Sequence, residues 1–340
     1  METVTYVGLD VHKKMTSYCA KRQDGRIVAQ GEVASRRTEL VSWARSIEGP
    51  WIGAMEATLF TGWIYDTLKP FARELKVAHP LMLRAIAASK KKNDKIDAEK
   101  IADLVRCDLL PQCYMASREI RQLRQVLRYR NLVVSQAVRM KNKIAGLLME
   151  SGEEFEKRRL HGAGYFAQLL ERIEAPDSVV ELLQLSRSSL KMFQAVERRL
   201  VRALLGNAQL RTRLGLLMSI RGVGEVTALT WALEIADPHR FSSIAQAVSY
   251  CGLTSAQRDS GGKSHRGPLS KQRNAHLQTI LIEAAKLAPR WNPELAAVYE
   301  RERARSNGNQ ATLAVARKLV AYLMAVDKAQ RPFVAREAKA

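Results

Sequence analysis

Apolar and polar positions come in short runs over the first third of the chain and then settle into a helical period. Thr5 to Leu9, Thr16 to Lys21 and Ile27 to Val33 read as three short strands, with a turn at Gln23, Asp24 and Gly25 between the last two. Arg37 to Ile47 has helical spacing. Trp51 to Met55 is an apolar strand bounded by Pro50, and Leu59 to Leu68 is helical again, ending before Pro70. Lys76 to Ala78 is a short strand ended by Pro80, and Asp97 to Leu110 a helix stopped before Pro111. Strands interleaved with helices predict an α/β domain over residues 1–115.

From Ser117 onward the strand signals disappear. Leu123, Leu127, Val134, Val138, Ile144 and Leu148 mark a long amphipathic helix that runs to Ser151. After a turn containing Gly162 and Gly164, a second long helix covers Val179 to Leu205, so residues 116–208 predict a helical hairpin or coiled-coil connector. Residues 209–330 read as a mostly helical domain, interrupted by a polar loop from Thr254 to Pro268 with Gly261, Gly262 and Gly267. Residues 331–340 form a charged tail.

Charge narrows the class of partner. Among 340 residues, 55 Lys and Arg stand against 34 Asp and Glu, a net charge of +21. Such an excess calls for an anionic partner, and nucleic acid is the usual one, because neutralising phosphates releases counterions. At 46% hydrophobic, the chain can build real cores, which excludes wholly disordered classes. Its longest apolar runs are broken by Arg, Lys or Glu, so no membrane role is expected. The four cysteines are scattered without a CxxC pair, and the start lacks an apolar signal core. A cytoplasmic protein with reduced thiols is expected.

Four acids carry candidate chemistry. Asp10 closes the strand Tyr6-Val7-Gly8-Leu9-Asp10, and Glu56 closes Trp51-Ile52-Gly53-Ala54-Met55-Glu56. Alone, a strand-end acid is ordinarily a turn or cap residue. Asn93-Asp94-Lys95-Ile96-Asp97 adds two aspartates at i and i+3 in a first helical turn, where capping is the ordinary role. Together the four make the hard-oxygen set that Mg2+ takes, and two such ions about 4 Å apart serve phosphodiester chemistry. The histidines show no zinc spacing, and no GxxxxGK[ST] phosphate loop occurs.

These residues resemble a known family, the DEDD transposases of the insertion-sequence one-ten family, which includes Piv-type DNA invertases. The resemblance rests on Gly8-Leu9-Asp10-Val11-His12-Lys13, Met55-Glu56-Ala57-Thr58 and Lys92-Asn93-Asp94-Lys95-Ile96-Asp97-Ala98. Downstream it rests on Ile220-Arg221-Gly222-Val223-Gly224, Ser249-Tyr250-Cys251-Gly252-Leu253, Ser260-Gly261-Gly262-Lys263 and Leu269-Ser270-Lys271. Leu59 and Arg273 stand where the family often has glycine. The resemblance implies a RuvC-like, RNase H-type N-terminal domain and metal ligands Asp10, Glu56, Asp94 and Asp97. It also implies a C-terminal serine that attacks phosphorus and links covalently to DNA.

Ser260 is the serine chosen for that role, because Arg258, Lys263 and Arg266 surround it with cations on glycine-rich backbone. Ser249, Ser264 and Ser270 are lesser candidates, and a turn or phosphate-binding serine is the ordinary alternative. Gly222 and Gly224, between apolar helical stretches, read equally as a helix-hairpin-helix phosphate contact and as a tight turn between core helices. Arg121, Arg124, Arg128, Lys141 and Lys143 lie on a nearly one-signed helix and predict a surface that tracks a nucleic-acid backbone. Lys90, Lys91 and Lys92 would bring positive charge to the acidic site, and Lys271 to the serine segment.

The whole reads as a site-specific DNA recombinase or transposase acting on donor and target DNA, with its acidic domain and serine segment meeting within one chain or between protomers. A homo-oligomer, dimer or tetramer, suits the cutting of paired strands. The resemblance further implies addressing by a non-coding guide RNA, where base pairing reads sequence and basic surfaces read backbone. A Holliday-junction nuclease, a protein-read invertase without guide RNA, and a catalytically silent nucleic-acid-binding regulator stay open as alternatives.

Overall fold

The computed structural model describes the backbone of residues 3–86, 93–260 and 263–334, and the side chains of these except 85–86, 257–260 and 263–266. The chain divides into two compact units, residues 1–121 and 122–340.

In the first unit, β1 (Thr5–Val11), β2 (Met15–Lys21) and β3 (Ile27–Ala34) form an antiparallel ribbon. Its second turn carries Gly25 at φ +89°, and the Asp24 carboxylate accepts from the Arg26 amide at 2.9 Å. Helix α1 (Arg37–Ser46) leads to β4 (Trp51–Glu56), and α2 (Thr61–Leu68) to β5 (Glu74–Ala78). β4 and β5 add in parallel on the other side of β1, giving the order β3-β2-β1-β4-β5. Because strand side chains alternate, Val7, Leu9 and Val11 turn to one face and pack with Leu40, Ile64 and Leu68 of α1 and α2. Tyr6, Gly8 and Asp10 turn to the other.

On that second face lies α4 (Asp94–Arg106), preceded by a short helix, α3 (Pro80–Ile86), which the hydrophobic pattern does not announce. Helix α4 begins three residues earlier than its apolar period predicts, because the Asn93 side chain caps it, accepting from the Lys95 amide at 3.1 Å. It also ends earlier, at Arg106, where Asp108 takes φ +53° and turns the chain away before Leu110.

The second unit is almost wholly helical, as its sequence predicts. Helices α5 (Arg118–Glu150), α6 (Ala163–Arg172) and α7 (Asp177–Leu205) surround a core of Ile144, Leu148, Leu160, Phe166, Leu183 and Leu190. Helix α6 occupies the place where only a turn at Gly162 and Gly164 was expected. Gly162 is its N-cap, and Phe166 and Leu169 bury its inner side.

Next come α8 (Ala208–Met218) and α9 (Glu225–Ile235). Every residue of α9 from Thr227 to Ile235 is buried, so its all-round apolar sequence reflects a central helix. Helices α10 (Ile244–Tyr250), α11 (Ala275–Leu287), α12 (Pro293–Arg305) and α13 (Gly308–Ala329) complete the unit. The segment Thr254 to Pro268, expected as a loop, is instead an antiparallel hairpin of β6 (Ser255–Ser260) and β7 (Lys263–Leu269). Glycine and polar side chains obscure the strand alternation there, while backbone pairing needs neither.

Candidate active site

The site is built by one close approach. A carbon added to Gly8 would stand 2.0 Å from the Ala98 carbonyl oxygen and 2.4 Å from the Ala102 nitrogen, so α4 rests its backbone directly on β1. Gly8 and Asp10 share a strand face, and Ala98 and Asp94 share a helix face one turn apart. The contact at Gly8 therefore carries Asp94 to Asp10. Tiny residues at the crossing, with Cys19 opposite Gly8 on β2 and Ala98 and Ala102 on α4, keep it tight.

Three groups converge there. Asp10, His12 and Asp94 each offer a ligand atom within 4.8 Å of the others. The His12 ring nitrogen Nε2 lies 3.1 Å from Asp10 Oδ2 and 3.6 Å from Asp94 Oδ2. Asp10 is the enclosed member, 15% exposed, whereas Asp94 is 61% exposed. Burial lifts the Asp10 carboxyl above its ordinary value, His12 works against this, and Asp94 and Asp97 add to it by repulsion. Two carboxylates and an imidazole nitrogen gathered this closely are a donor set that fits a divalent cation.

The other two expected ligands are near but outside that set. Leu9 pairs with Met55 in the parallel ladder, so Asp10 and Glu56 follow at the next positions of neighbouring strands, on the face that α4 covers. Asp97 sits one turn into α4, 3.7 Å from Lys100 Nζ. His12 is the residue of this site that sequence reasoning missed. Its signal was available, since Asp10 and His12 alternate on one strand edge and so present to the same side.

The hydroxyl candidate lies in the second unit. Ser260 ends β6, and its backbone pairs with Lys263. Its side chain and those of Arg258, Lys263, Ser264 and Arg266 lie outside the described residues, as do Lys90, Lys91 and Lys92. Ser249 and Lys271 are exposed, and the Ser270 hydroxyl accepts from the Gln272 amide at 3.2 Å.

Part of the expected basic surface is turned inward. Arg121 is spent in the first unit on the carbonyls of Ala116 and Gly62 and on the Asp66 carboxylate. Arg124 donates twice to the Leu233 carbonyl, at 3.0 and 2.9 Å. Arg128 grips the fully buried Glu234 through two bonds of 2.8 and 2.9 Å. Lys143 stays exposed, and Lys141 is half-buried. Gly222 takes φ +98°, and a side-chain carbon there would stand 2.6 Å from Ala288 Cβ. Gly224, the N-cap of α9, has open space where its side chain would be.

A mixed sheet that brings carboxylates together at the ends of its central strands, within a strongly cationic chain, suits work on nucleic acid. Comparison with known proteins narrows the class. A family model described as transposase, of the DEDD IS110 type, matches residues 7–152, which hold Asp10, Glu56, Asp94 and Asp97. A second, the transposase IS116/IS110/IS902 family, matches residues 214–300, which hold Gly222, Gly224 and Ser260.

A probable family 20 transposase of Pseudomonas aeruginosa is 24% identical over 290 residues, covering 84% of each chain. The transposase for insertion sequence element IS1111A of Coxiella burnetii is 25% identical over 292 residues, covering 84% of this chain and 78% of its own. That for element IS1328 of Yersinia enterocolitica is 23% identical over 291 residues, covering 84% of each. The chain belongs to the IS110 family of transposases, enzymes that cut and rejoin DNA. No described helix is long and apolar enough to cross a membrane.

Proposed function

We propose that this transposase exchanges DNA strands with a Mg2+-assisted RuvC-like site and a serine nucleophile, on donor and target DNA addressed by a non-coding guide RNA. The observation that carries the reading is the convergence of Asp10 and Asp94 at the end of β1, beside the strand that ends in Glu56. Asp10 and Asp94 hold the cation, with Glu56 and Asp97 completing its surroundings. Bound there, Mg2+ supplies charge stabilisation at a phosphodiester and lowers the cost of the leaving oxygen. His12, against Asp10 Oδ2, orients that carboxylate.

In the cleavage step the Ser260 hydroxyl oxygen bonds to phosphorus and the bond from phosphorus to one sugar oxygen breaks. The serine proton passes to a nearby base, and the freed sugar oxygen takes a proton. Attack by a strand hydroxyl on the serine phosphodiester reverses the step and restores the serine. A homo-oligomer, dimer or tetramer, brings the strand pairs together.

The test is strand exchange between donor and target DNA by the purified full-length protein, loaded with RNA transcribed from the flanks of its own gene. Asp10→Asn and Ser260→Ala should each abolish cleavage, and a protein–DNA adduct should require Ser260. Cleavage by Ser260→Ala at the parental rate would exclude the serine. Equal exchange without any RNA would exclude the guide.

A further inference from the structure

Helices α5, α6 and α7 enclose an apolar core, and three basic side chains are set into its wall. Lys141 stands between Ala137 and Ile144 on the stripe of α5 that faces the core. Arg187 stands between Leu183 and Leu190 on the buried stripe of α7. It is only 9% exposed, with its guanidinium 5.1 Å from the centre of the Phe166 ring. His161 follows the buried Leu160, and its Nδ1 is enclosed without a hydrogen-bond partner.

Among the described residues no carboxylate pairs with any of the three. Of the acids between α5 and α6, Glu156 pairs with Arg159 and Glu153 accepts from the Glu174 amide. Burial pushes the Arg187 guanidinium below its ordinary value. It does the same to His161, with the charges of Lys141 and Arg187 adding to the effect. A fold that gathers positive groups in partial burial with no counter-charge carries a standing cost, which an anion relieves.

We propose that Lys141, His161 and Arg187 form a phosphate clasp that receives a backbone phosphodiester of nucleic acid. The chemistry is that of three neighbouring donors offered to an anion, Lys141 and Arg187 both close enough to act on His161, with Arg187 able to give two parallel bonds. A polyanion suits the position better than a free phosphate, because Lys191, one turn from Arg187 along α7, is exposed and extends the positive charge to solvent. The clasp goes beyond the strand-exchange reading and does not depend on it, since it uses neither the acidic site nor Ser260.

The test follows the His161 ring by NMR in the full-length protein with labelled histidine, the signal assigned by its loss in His161→Gln. Inorganic phosphate, a short single-stranded DNA and a short RNA are added in separate titrations. Each bound anion should raise the His161 pKa, and the DNA and RNA arms tell which nucleic acid supplies the phosphate. Arg187→Met and Lys141→Gln should each weaken oligonucleotide binding by about tenfold, the scale of one charge-assisted hydrogen bond. Arg187→Met should at the same time raise Tm, because it fills the same apolar wall without a buried charge. A lower Tm with unchanged oligonucleotide affinity would show Arg187 to be a packing residue and overturn the proposal. A His161 signal that moves with inorganic phosphate but with neither oligonucleotide overturns it as well.

Discussion

Lys21, the last residue of β2, reaches two acids of α4 from a side chain that is 6% exposed, meeting Asp103 at 2.7 Å and Glu99 at 2.9 Å. This pair of contacts clamps the middle of α4 to the sheet whose central strand carries Asp10. For Lys21, burial opposes the charge, but the bonds to Asp103 and Glu99 outweigh it and leave its value raised. For Asp103, burial lifts the carboxyl, and the bonds and charges of Lys21 and Arg106 outweigh that, holding it below the ordinary carboxylate range.

The sign of the pH effect follows. A carboxyl held lower in the folded state contributes stability above its unfolded value, about 4, and loses that contribution as pH falls through the folded value. Lys21→Met should therefore lower stability at neutral pH and make the acid limb shallower. The loss is set at about 1–2 kcal/mol, less than for a fully buried pair, because Glu99 and Asp103 are 38% and 40% exposed. Urea denaturation at stepped pH measures it, and an unchanged acid limb would assign Asp103 to Arg106 alone.

Gly8→Ala is expected to cost about 1–3 kcal/mol, since the added carbon meets backbone of α4, which cannot rotate away. It should weaken divalent-cation binding as well, because the same displacement carries Asp94 from Asp10. Mn2+ binding by isothermal calorimetry on the folded variant reads this, and full retention of affinity would uncouple the contact from the site.

The two glycines before α9 should separate. Gly222→Ala is strained twice, by φ +98° and by Ala288, and should lower Tm by several degrees for a loss of about 1–2 kcal/mol. A carbon added at Gly224 meets nothing within 4 Å, so Gly224→Val should still fold. A drop in affinity for all DNA sequences alike in Gly224→Val would support a phosphate contact, and normal affinity would leave a structural turn.

Glu234 is fully buried between Arg128 and Asn274, with Arg124 3.7 Å away. Burial lifts its carboxyl, but those partners outweigh the lift and hold it low. Glu234→Gln leaves two guanidiniums without their counter-charge and should cost about 3 kcal/mol by chemical denaturation. In a double-mutant cycle, Arg128→Leu should recover part of that loss.

Much of this was legible in the chain. Apolar runs ending in Asp10 and Glu56 announced strands, and Asn93 with acids at i and i+3 announced a capped helix whose first turn is acidic. What joins them was not legible, because the need for glycine at position 8 exists only once α4 lies across it. Arg124 and Arg128 read as surface cations for a similar reason. Their partners, the Leu233 carbonyl and Glu234, lie more than a hundred residues away, and only the packing of α9 brings them together. The β6–β7 hairpin escaped notice because Gly261, Gly262, Gly267 and Pro268 erase the alternation on which a strand reading depends.

The approach of Gly8 to Ala98 has one more consequence. Packing of backbone on backbone sets Asp94 beside Asp10. The backbone contact predicts that protein prepared in chelator should keep its secondary structure, with added cation stabilising it by mass action, RT ln(1 + [ion]/Kd). If the proposed cation site is correct, ion supply should tune strand transfer on a finished scaffold, and dialysis should reverse the effect.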